Sequence, residues 1–594
     1  MRTATVWRVA PAMVALLAGS TGAQTPSPPP APGVSGSATV SGTVIDAVSR
    51  HPIGGVVVRL QTVPSRATQF AMNVSEGSGV PPPPPDAFNY HASLMTDADG
   101  RFRFTGLRSG NFQLSAGRNG WIGGPWEAAD PDLRGDWMVI RPTANAVVTL
   151  PMWRAPVIAG RVVDQAGNPV IGVPVRAFAP RTIGGYVRWG NWLPRRTDDR
   201  GAFRVWVDPG AYLAGVTPSA SVSPAESLHA GAVNGRPQAY GNQYFEGAKW
   251  SSAARVLSLS PGDERTDLQF RLVPEPTFRI SGKVSGADVP TRVMVRLHTV
   301  DDMLDWGSDY PKMIAVDAEG RFVFSAVRAG RYRVRAYAGP NLPMGSHGVP
   351  ALQALPPEPT LAGGADVQVA NRDVDLTLSL LPGVRINGRV EFDGDVSPAA
   401  LDRLKNIPVI VEPADGSPFD HARGIYVDGK TFTTTQVAPG KYTVRTYAPQ
   451  GWLVKSIERQ GRSLVDKAFE IGGEDVNDVV ITFTTRPSLI SGLVTNAAGA
   501  RRRPWVVAFP VDREQWVDYG TSPRCIAWGQ VGTLGTYELR LPAGGYYVVA
   551  LYEPPGPLVA ATFERLAGAA TQVWLSHGER REQPLTAAAI EVRR

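Results

Sequence analysis

The sequence predicts an all-β protein made of five tandem antiparallel β-sandwich domains that follow a signal peptide. Three observations predict this: a length of 594 residues, a high content of Gly (63) and Pro (53), and a strand pattern that occurs five times. The length exceeds what one hydrophobic core supports, and so many turn-forming residues favour short strands over long helices. The 43% of hydrophobic residues still suffices for packed cores, which argues against a wholly disordered chain.

The N-terminal segment has the pattern of a secretory signal peptide. Residues 1–23 carry two arginines, an apolar run from Val9 to Ala18, and the small residues Thr21 to Ala23 at their end. The apolar run is too short to span a membrane, and no later segment approaches the roughly 20 apolar residues that a span requires. Residues 24–37 form a Pro-rich linker. We therefore expect an exported protein without a membrane span that is periplasmic, outer-membrane-associated or extracellular.

A five-residue strand pattern, Val/Ile-x-Gly-x-Val, defines the repeat. Its central glycines are 104 to 122 residues apart, which is the size of one domain. Gly inside a strand marks a bulge or the close approach of another backbone. The five occurrences are Val40–Val44, Ile158–Val162, Ile280–Val284, Ile386–Val390 and Ile490–Val494. The predicted domains, here called repeats 1 to 5, are residues 38–153, 154–275, 276–382, 383–486 and 487–594.

Each repeat continues in the same order. A second β-branched strand, such as Val56–Leu60, is followed by a variable insert and by a turn that leads to an aromatic residue, such as Asp97 to Phe102. The Asp side chain accepts a backbone N–H of the turn, and the Gly of the turn supplies a positive φ. The last element is Gly-x-Tyr/Phe at the head of a strand. Its assigned pairs are Gly110 with Phe112, Gly210 with Tyr212, Gly330 with Tyr332, Gly440 with Tyr442 and Gly545 with Tyr547.

These motifs resemble those of the carboxypeptidase regulatory-like domain. The resemblance rests on the first strand, the turn Gly167 to Pro169, the Thr-Asp-x-x-Gly-x-Phe hairpins that begin at Thr96 and Thr197, and the Gly-x-Tyr/Phe strand. It is closest in repeats 1 to 3. The family belongs to the transthyretin-like, carbohydrate-binding-like group of β-sandwiches and occurs as tandem modules in exported bacterial proteins. The resemblance implies immunoglobulin-like or prealbumin-like sandwiches and a non-catalytic module.

Catalytic signatures are missing from the sequence. None of the seven histidines is followed three residues later by Glu, and the Gly-x-Ser-x-Gly elbow and the phosphate loop are absent. Asp97 to Gly100 resembles the start of a calcium loop, but its further ligands do not follow, and Arg200 and Glu319 replace Asp99 in the sister turns. We predict no enzyme, no metal and no cofactor. An enzyme with dispersed catalytic residues remains an alternative.

Charge and cysteine content exclude further classes. The net charge is +7, yet no dense basic run occurs beyond Arg501 to Arg503, so we predict no nucleic-acid partner. The only cysteine, Cys525, cannot form a disulfide within the chain, and we interpret it as a small buried residue. Repeats 1 and 5 contain no lysine, which rules out a stalk in which every domain carries a Lys–Asn isopeptide bond.

Aromatic residues in the inserts are the candidate ligand-binding residues. Sugar rings stack on aromatic rings, and loops on a rigid sandwich often carry function. The alternative is that these rings pack against and hold their own loops.

The leading functional hypothesis is a structural or binding module at the cell envelope. The alternative function is carbohydrate binding, with a polysaccharide or an envelope protein as partner. The short Pro-bearing joins predict a monomeric, semi-rigid rod. The candidate ligand-binding aromatic residues are Trp121, Trp126, Trp137, Tyr186, Trp189, Trp192, Trp516, Tyr519 and Trp528.

Overall fold

The computed structural model describes most of the chain between residues 36 and 588. The described residues are 36–62, 91–108, 110–123, 138–140, 145–191, 194–218, 229–233, 235–286, 293–302, 304, 312–338, 360–404, 407–417, 422–426, 430–449, 451–495, 504–532, 535–553 and 555–588. The predicted signal peptide and residues 24–35 of the predicted linker lie outside them. Strands account for most of the regular structure, which confirms the all-β class.

Repeat 1 has two four-stranded sheets, with strand orders β4-β1-β8-β6 and β3-β2-β5-β7. Its strands are β1 (Ala38–Asp46), β2 (Val57–Thr62), β3 (His91–Met95), β4 (Arg101–Leu107), β5 (Gly110–Gly117), β6 (Trp121–Gly123), β7 (Met138–Ile140) and β8 (Asn145–Arg154).

Repeat 2 also has two sheets, and its insert adds a separate hairpin that pairs with the join to repeat 3. Its strands are β9 (Val157–Val163), β10 (Pro174–Ile183), β11 (Tyr186–Asn191), β12 (Arg195–Arg196), β13 (Ala202–Trp206), β14 (Gly210–Val216), β15 (His229–Val233), β16 (Arg236–Ala239), β17 (Gln243–Tyr244), β18 (Leu257–Leu259), β19 (Glu264–Arg271) and β20 (Glu275–Pro276). The sheet orders are β13-β9-β19, β11-β10-β14-β17 with β12 and β18 attached, and β15-β16-β20.

Repeat 3 has a three-stranded sheet, β24-β21-β27, and a five-stranded sheet, β23-β22-β25-β26-β28. Its strands are β21 (Phe278–Ser285), β22 (Met294–Thr299), β23 (Lys312–Ala315), β24 (Arg321–Val327), β25 (Gly330–Ala338), β26 (Leu361–Val369), β27 (Val374–Ser379) and β28 (Leu381–Pro382).

Repeats 4 and 5 each have one continuous hydrogen-bonded sheet. Repeat 4 contains β29 (Ile386–Asp393), α1 (Pro398–Leu404), β30 (Val409–Pro413), β31 (Ala422–Tyr426), β32 (Thr431–Thr434), β33 (Gly440–Thr446), β34 (Leu453–Arg459), β35 (Arg462–Ser463), β36 (Phe469–Ile471) and β37 (Val476–Thr484). Repeat 5 contains β38 (Leu489–Thr495), β39 (Trp505–Pro510), β40 (Ala527–Gln530), β41 (Thr536–Arg540), β42 (Gly544–Leu551), α2 (Ala560–Ala567), β43 (Thr571–Leu575), β44 (Arg580–Glu582) and β45 (Leu585–Ala588).

The glycine of the Val/Ile-x-Gly-x-Val strand lies where three strands come close together. Gly42 is in register with Phe102 on β4 and with Val148 on β8. A Cβ atom on Gly42 would lie 2.0 Å from the carbonyl oxygen of Val148 and 2.9 Å from the Phe102 ring, so only glycine fits. The same register pairs Gly160 with Phe203, Gly282 with Phe322, Gly388 with Phe432 and Gly492 with Tyr537.

The sheets are mixed, whereas the sequence predicts antiparallel sandwiches. In every repeat the first strand pairs in parallel with a strand at the end of the repeat, as β1 does with β8. Tight hairpins force neighbouring strands to be antiparallel, but the first and last strands are joined only through the rest of the repeat and are free to run in the same direction.

The predicted Asp turns form as expected. The backbone N–H of Arg101 donates to the Asp97 carboxylate at 2.7 Å, and Gly100 has a φ of +71°. The Asp198 and Asp317 carboxylates accept equivalent bonds, also at 2.7 Å. These carboxylates therefore hold their own turns.

The Gly-x-Tyr motif anchors a strand through its tyrosine hydroxyl. The Tyr332 hydroxyl donates to the Arg328 carbonyl at 2.9 Å, and the Tyr546 hydroxyl donates to the Pro542 carbonyl at 2.8 Å. The pair in repeat 5 is therefore Gly544 with Tyr546, and the predicted pair, Gly545 with Tyr547, is wrong by one residue. The run Gly-Gly-Tyr-Tyr permits both registers in sequence, and only the strand's alternation decides that Tyr546 faces the core.

Candidate functional site

A β-hairpin of repeat 2 reaches across to repeats 4 and 5. Strands β10 and β11 form this hairpin, and Ile183 and Tyr186 pair directly across the turn residues Gly184 and Gly185. The two glycines have φ values of +61° and +85°. Positive φ at both central residues gives the turn type whose twist matches that of the flanking strands, and it selects glycine. We call residues 182–188 the docking hairpin.

Backbone hydrogen bonds fix the tip of the docking hairpin. The N–H of Gly184 donates to the carbonyl of Gly520 at 2.9 Å, and the carbonyl of Gly184 accepts the N–H of Asp518 at 2.8 Å. A Cβ atom on Gly185 would lie 2.5 Å from the Trp516 carbonyl oxygen and 2.7 Å from the Val517 Cα. The glycines are therefore required twice, by the turn and by the close approach of repeat 5.

Polar side chains extend the contact to three repeats. The Tyr186 hydroxyl donates to the Asp518 carboxylate at 2.9 Å, and Lys441 of repeat 4 contacts the same carboxylate at 2.6 Å. The Leu558 N–H donates to the Thr182 hydroxyl at 3.1 Å. Burial and the bond to the Asp518 carboxylate raise the pKa of Tyr186 to about 12, so its hydroxyl keeps its proton and remains a donor.

Repeats 3 and 4 contribute ionisable side chains beside the same hairpin. The Arg188 guanidinium lies 3.8 Å from the Asp415 carboxylate of repeat 4. Burial, together with the nearby Arg188 and Arg333 charges, lowers the pKa of His298 in repeat 3 to about 4. The imidazole is therefore neutral at pH 7.

The contact changes the expected arrangement of the repeats. The docking hairpin contacts residues 414–416 and 516–520, so repeats 2, 4 and 5 are not strung end to end. The prediction of a semi-rigid rod is therefore wrong for this part of the chain. Short Pro-bearing joins limit only the geometry of successive repeats, and they do not prevent a long hairpin from reaching a distant repeat.

Repeats 4 and 5 also contact each other directly. The main core clusters of repeats 1, 2 and 3 are separate, and a smaller cluster joins repeat 2 to Leu304 of repeat 3, but a single main cluster extends through repeats 4 and 5. Glu412 of repeat 4 is 1% exposed and accepts the N–H and the hydroxyl of Thr521 of repeat 5 at 2.9 and 2.8 Å. The same carboxylate lies 3.1 Å from Arg445.

Four of the aromatic candidates, Tyr186 and Trp189 of repeat 2 and Trp516 and Tyr519 of repeat 5, are packing and docking residues. Trp189 is 9% exposed and packs with Leu304 of repeat 3. Trp516 and Tyr519 are 3% and 5% exposed and belong to the outer cluster of repeat 5, directly below the docking hairpin. Their rings are not open for stacking on a sugar. Tyr186 is 37% exposed and is engaged with Asp518.

The remaining candidates fall into two groups. Trp121 packs partly against the core of repeat 1, and the guanidinium carbon of Arg154 lies 4.1 Å from its ring centroid. Trp528 is 51% exposed on β40. Trp126, Trp137 and Trp192 lie outside the described residues. Trp574, which lies outside the inserts and is therefore not among the predicted candidates, is 69% exposed on β43.

A surface concavity of about 520 Å³ lies on the outer face of β29, β34 and β37, with His577 of repeat 5 at its margin. Charged side chains dominate its lining. Arg389 pairs with Glu391 at 2.9 Å, and Lys455 pairs with Asp393 at 3.0 Å. The remaining lining includes Ser456, Glu458, Gln460, Asp478 and Thr482, so the surface suits a polar ligand better than an apolar one.

Within the residues described, no three His, Cys, Asp or Glu side chains are arranged to hold a metal ion. None of the helices in the described ranges is long and apolar enough to cross a membrane.

No protein-family model matches the chain, and no curated protein matches it. Several solved structures are similar to it. A streptococcal ancillary pilin has 11% identity and a TM-score of 0.20, with 58% of this chain and 99% of that chain covered. The minor pilin GBS52 of Streptococcus agalactiae has 13% identity and a TM-score of 0.22, with 40% and 98% covered. A putative adhesin from Bacteroides ovatus has 13% identity and a TM-score of 0.15, with 29% and 74% covered.

Whole chains do not superpose at such TM-scores. Membership of the carboxypeptidase regulatory-like family therefore rests on the motifs and stays a prediction, as do the count of five domains and their boundaries.

Proposed function

We propose that this protein is an exported, non-catalytic structural module of the cell envelope whose β-sandwich repeats are held together by side-by-side contacts. The docking hairpin carries this proposal. Its two glycines, its backbone bonds to repeat 5 and its polar contacts with repeat 4 form a complementary contact between residues more than 200 positions apart. Long-range closure costs chain entropy, so a contact of this kind serves a protein whose repeats must keep a fixed arrangement.

The test is small-angle X-ray scattering of the purified full chain and of Gly185→Ala. The added Cβ would overlap the backbone at Trp516 and Val517, and we expect the variant to have a larger maximum dimension than the wild type. Gly235→Ala is the matched control, because Gly235 also lies in a hairpin turn with a φ of +73° but has no atom within 4 Å of the added Cβ. Equal dimensions for all three proteins would contradict the fixed arrangement.

The non-catalytic part of the proposal has a separate test. Purified protein is assayed for hydrolysis of peptide, ester and glycoside substrates, and we expect no turnover. An activity that is abolished by one point substitution in the folded protein would overturn this part. Fractionation of the source cells tests export, since the signal peptide predicts recovery outside the cytoplasm.

A second candidate function is carbohydrate binding, which the exposed Trp528 favours. Its test is retention of the protein on insoluble polysaccharides. We expect Trp528→Ala to lose retention and Trp574→Ala, an exposed tryptophan of the same repeat outside the predicted clusters, to keep it. Retention that is absent in the wild type, or unchanged in Trp528→Ala, counts against this candidate.

A further inference from the structure

The loop that joins β35 to β36 inserts from repeat 4 into repeat 5. Leu464 and Val465 are each 6% exposed and belong to the core cluster that the two repeats share. The Gln515 side-chain amide of repeat 5 donates to the Val465 carbonyl at 2.9 Å, and Lys467 pairs with Asp512. We call residues 464–467 the joint loop.

Asp466 is the buried acid of the joint loop. It is 7% exposed and has a φ of +52°, a conformation that Asp tolerates better than most residues. Its Oδ2 accepts the backbone N–H groups of Arg524 and Cys525 of repeat 5, both at 2.5 Å. One carboxylate therefore links the two repeats from inside their contact.

No salt bridge compensates Asp466 among the described residues. The groups that face it are the Arg524 guanidinium, the Cys525 thiol and the hydroxyls of Tyr519 and Tyr546. Arg524 makes no ion pair with it, and Nη1 of Arg524 is itself buried without a hydrogen-bond partner in the described part of the chain. Burial raises the pKa of Cys525, so its thiol is neutral at pH 7.

Glu412 gives the contrast within the same interface. It is buried as deeply, but Arg445 lies 3.1 Å away and Thr521 supplies two donors. A buried carboxylate in a salt bridge is compensated for its loss of hydration, whereas one without a salt bridge is compensated less, and this favours its protonated form.

We propose that the contact between repeats 4 and 5 is an acid-strengthened joint, in which protonation of Asp466 tightens the joint loop on repeat 5. The sign of this pH dependence follows from the difference between the pKa of Asp466 in the closed joint and its pKa in the opened joint. Burial raises the pKa of Asp466 to about 6, although the two backbone N–H donors oppose this shift. The closed joint therefore binds a proton more tightly than the opened joint, where the pKa returns to about 3.8. This contribution is present in full below pH 3.8 and is lost as the pH rises through 6.

The test is amide hydrogen exchange of the full chain at pH 5 and pH 8, with each rate divided by its intrinsic rate. Peptides that cover the joint loop and residues 524–525 report on the joint. We expect about tenfold greater protection at pH 5 than at pH 8, which is the ratio that a shift from 3.8 to about 6 produces. Asp466→Asn should remove this ratio, because the amide oxygen still accepts the N–H bonds and does not ionise.

Glu412→Gln is the matched control. It changes the other buried acid of the interface, and we expect lower protection at both pH values with the tenfold ratio retained. Two results would overturn the proposal: wild-type protection that is equal or lower at pH 5, and an Asp466→Asn variant that keeps the wild-type ratio. If Asp466→Asn does not fold, the wild-type ratio alone still decides, since a ratio of about one contradicts the proposal.

Discussion

The two contacts that hold repeat 5 differ in kind. The contact with repeat 4 is a continuous apolar cluster that contains two buried carboxylates, Glu412 and Asp466. The contact with the docking hairpin is made of backbone hydrogen bonds and half-exposed polar groups around Gly184 and Gly185. The first depends on buried volume, whereas the second depends on shape and on two residues that lack a side chain. The two contacts should therefore respond to different substitutions. They should also respond to pH with opposite signs, because the pKa of Asp466, in the contact with repeat 4, is raised and the pKa of His298, beside the docking hairpin, is lowered.

The largest expected effect is the loss of packing in the joint loop. Leu464→Ala removes a side chain that is 6% exposed from the shared cluster, and we expect the free energy of unfolding of repeats 4 and 5 to fall by about 2–4 kcal/mol. Urea denaturation followed by tryptophan fluorescence measures this. Leu493→Ala, at a position 55% exposed, should change it by less than about 0.5 kcal/mol. Equal effects would show that the joint loop does not carry the contact.

The docking hairpin should be more tolerant. Asp518→Asn weakens the bonds to Tyr186 and Lys441 while keeping an acceptor at a residue with a φ of +57°, and we expect a cost of about 1 kcal/mol. Hydrogen exchange of residues 182–188 measures it. Asp478→Asn is the control, since Asp478 is exposed and has a φ of +70°. If the control loosens the hairpin as much, the Asp518 carboxylate does not act through the contact.

Acid should loosen the neighbourhood of the docking hairpin while it tightens the joint. The pKa of His298 is lowered to about 4 from 6.5, so the folded protein binds this proton less tightly, and stability is lost as the pH falls from 6.5 towards 4. We expect protection of residues 182–188 to fall severalfold between pH 7 and pH 5. His298→Gln should abolish this fall, and a fall that persists in the variant would assign it to another group.

The smallest effect belongs to ion pairs on the outside of repeat 5. Arg513 and Glu564 pair at 2.8 Å with side chains that are 68% and 54% exposed. Solvent screens such pairs, so Arg513→Ala should change the thermal unfolding midpoint by no more than about 1–2 °C. A larger shift would show that the surface of repeat 5 contributes to its contacts.

Short-range patterns gave good predictions where local chemistry fixes the structure. The Asp turns at Asp97, Asp198 and Asp317 form as predicted because the carboxylate and the backbone N–H that donates to it lie within a few residues. The need for glycine at position 42 is explained by its pairing with Phe102, the aromatic residue that the same repeat motif predicts. The predicted motif of repeat 5 is wrong by one residue, since the local sequence Gly544-Gly545-Tyr546-Tyr547 fits two registers and only the strand selects one.

The aromatic inserts show the limit of this reasoning. A run containing Tyr186, Trp189 and Trp192, or one containing Trp516 and Tyr519, carries the same pattern whether its rings bind a ligand or pack. The partner that decides is far away in sequence: Asp518 for Tyr186 and Leu304 for Trp189. The sequence signal for this contact is the pair Gly184-Gly185 between Ile183 and Tyr186, which marks a hairpin turn but not its target.

The sequence by itself determined the all-β class and the repeating Gly and aromatic positions, because strand alternation and turn chemistry act over a few residues. Only the tertiary structure decided that the first and last strands pair in parallel, that repeat 2 touches repeats 4 and 5, and that Asp466 is buried without a salt bridge among the described residues. The burial and the partners of a carboxylate or an aromatic ring depend on residues from distant parts of the chain, and no local sequence pattern encodes these contacts.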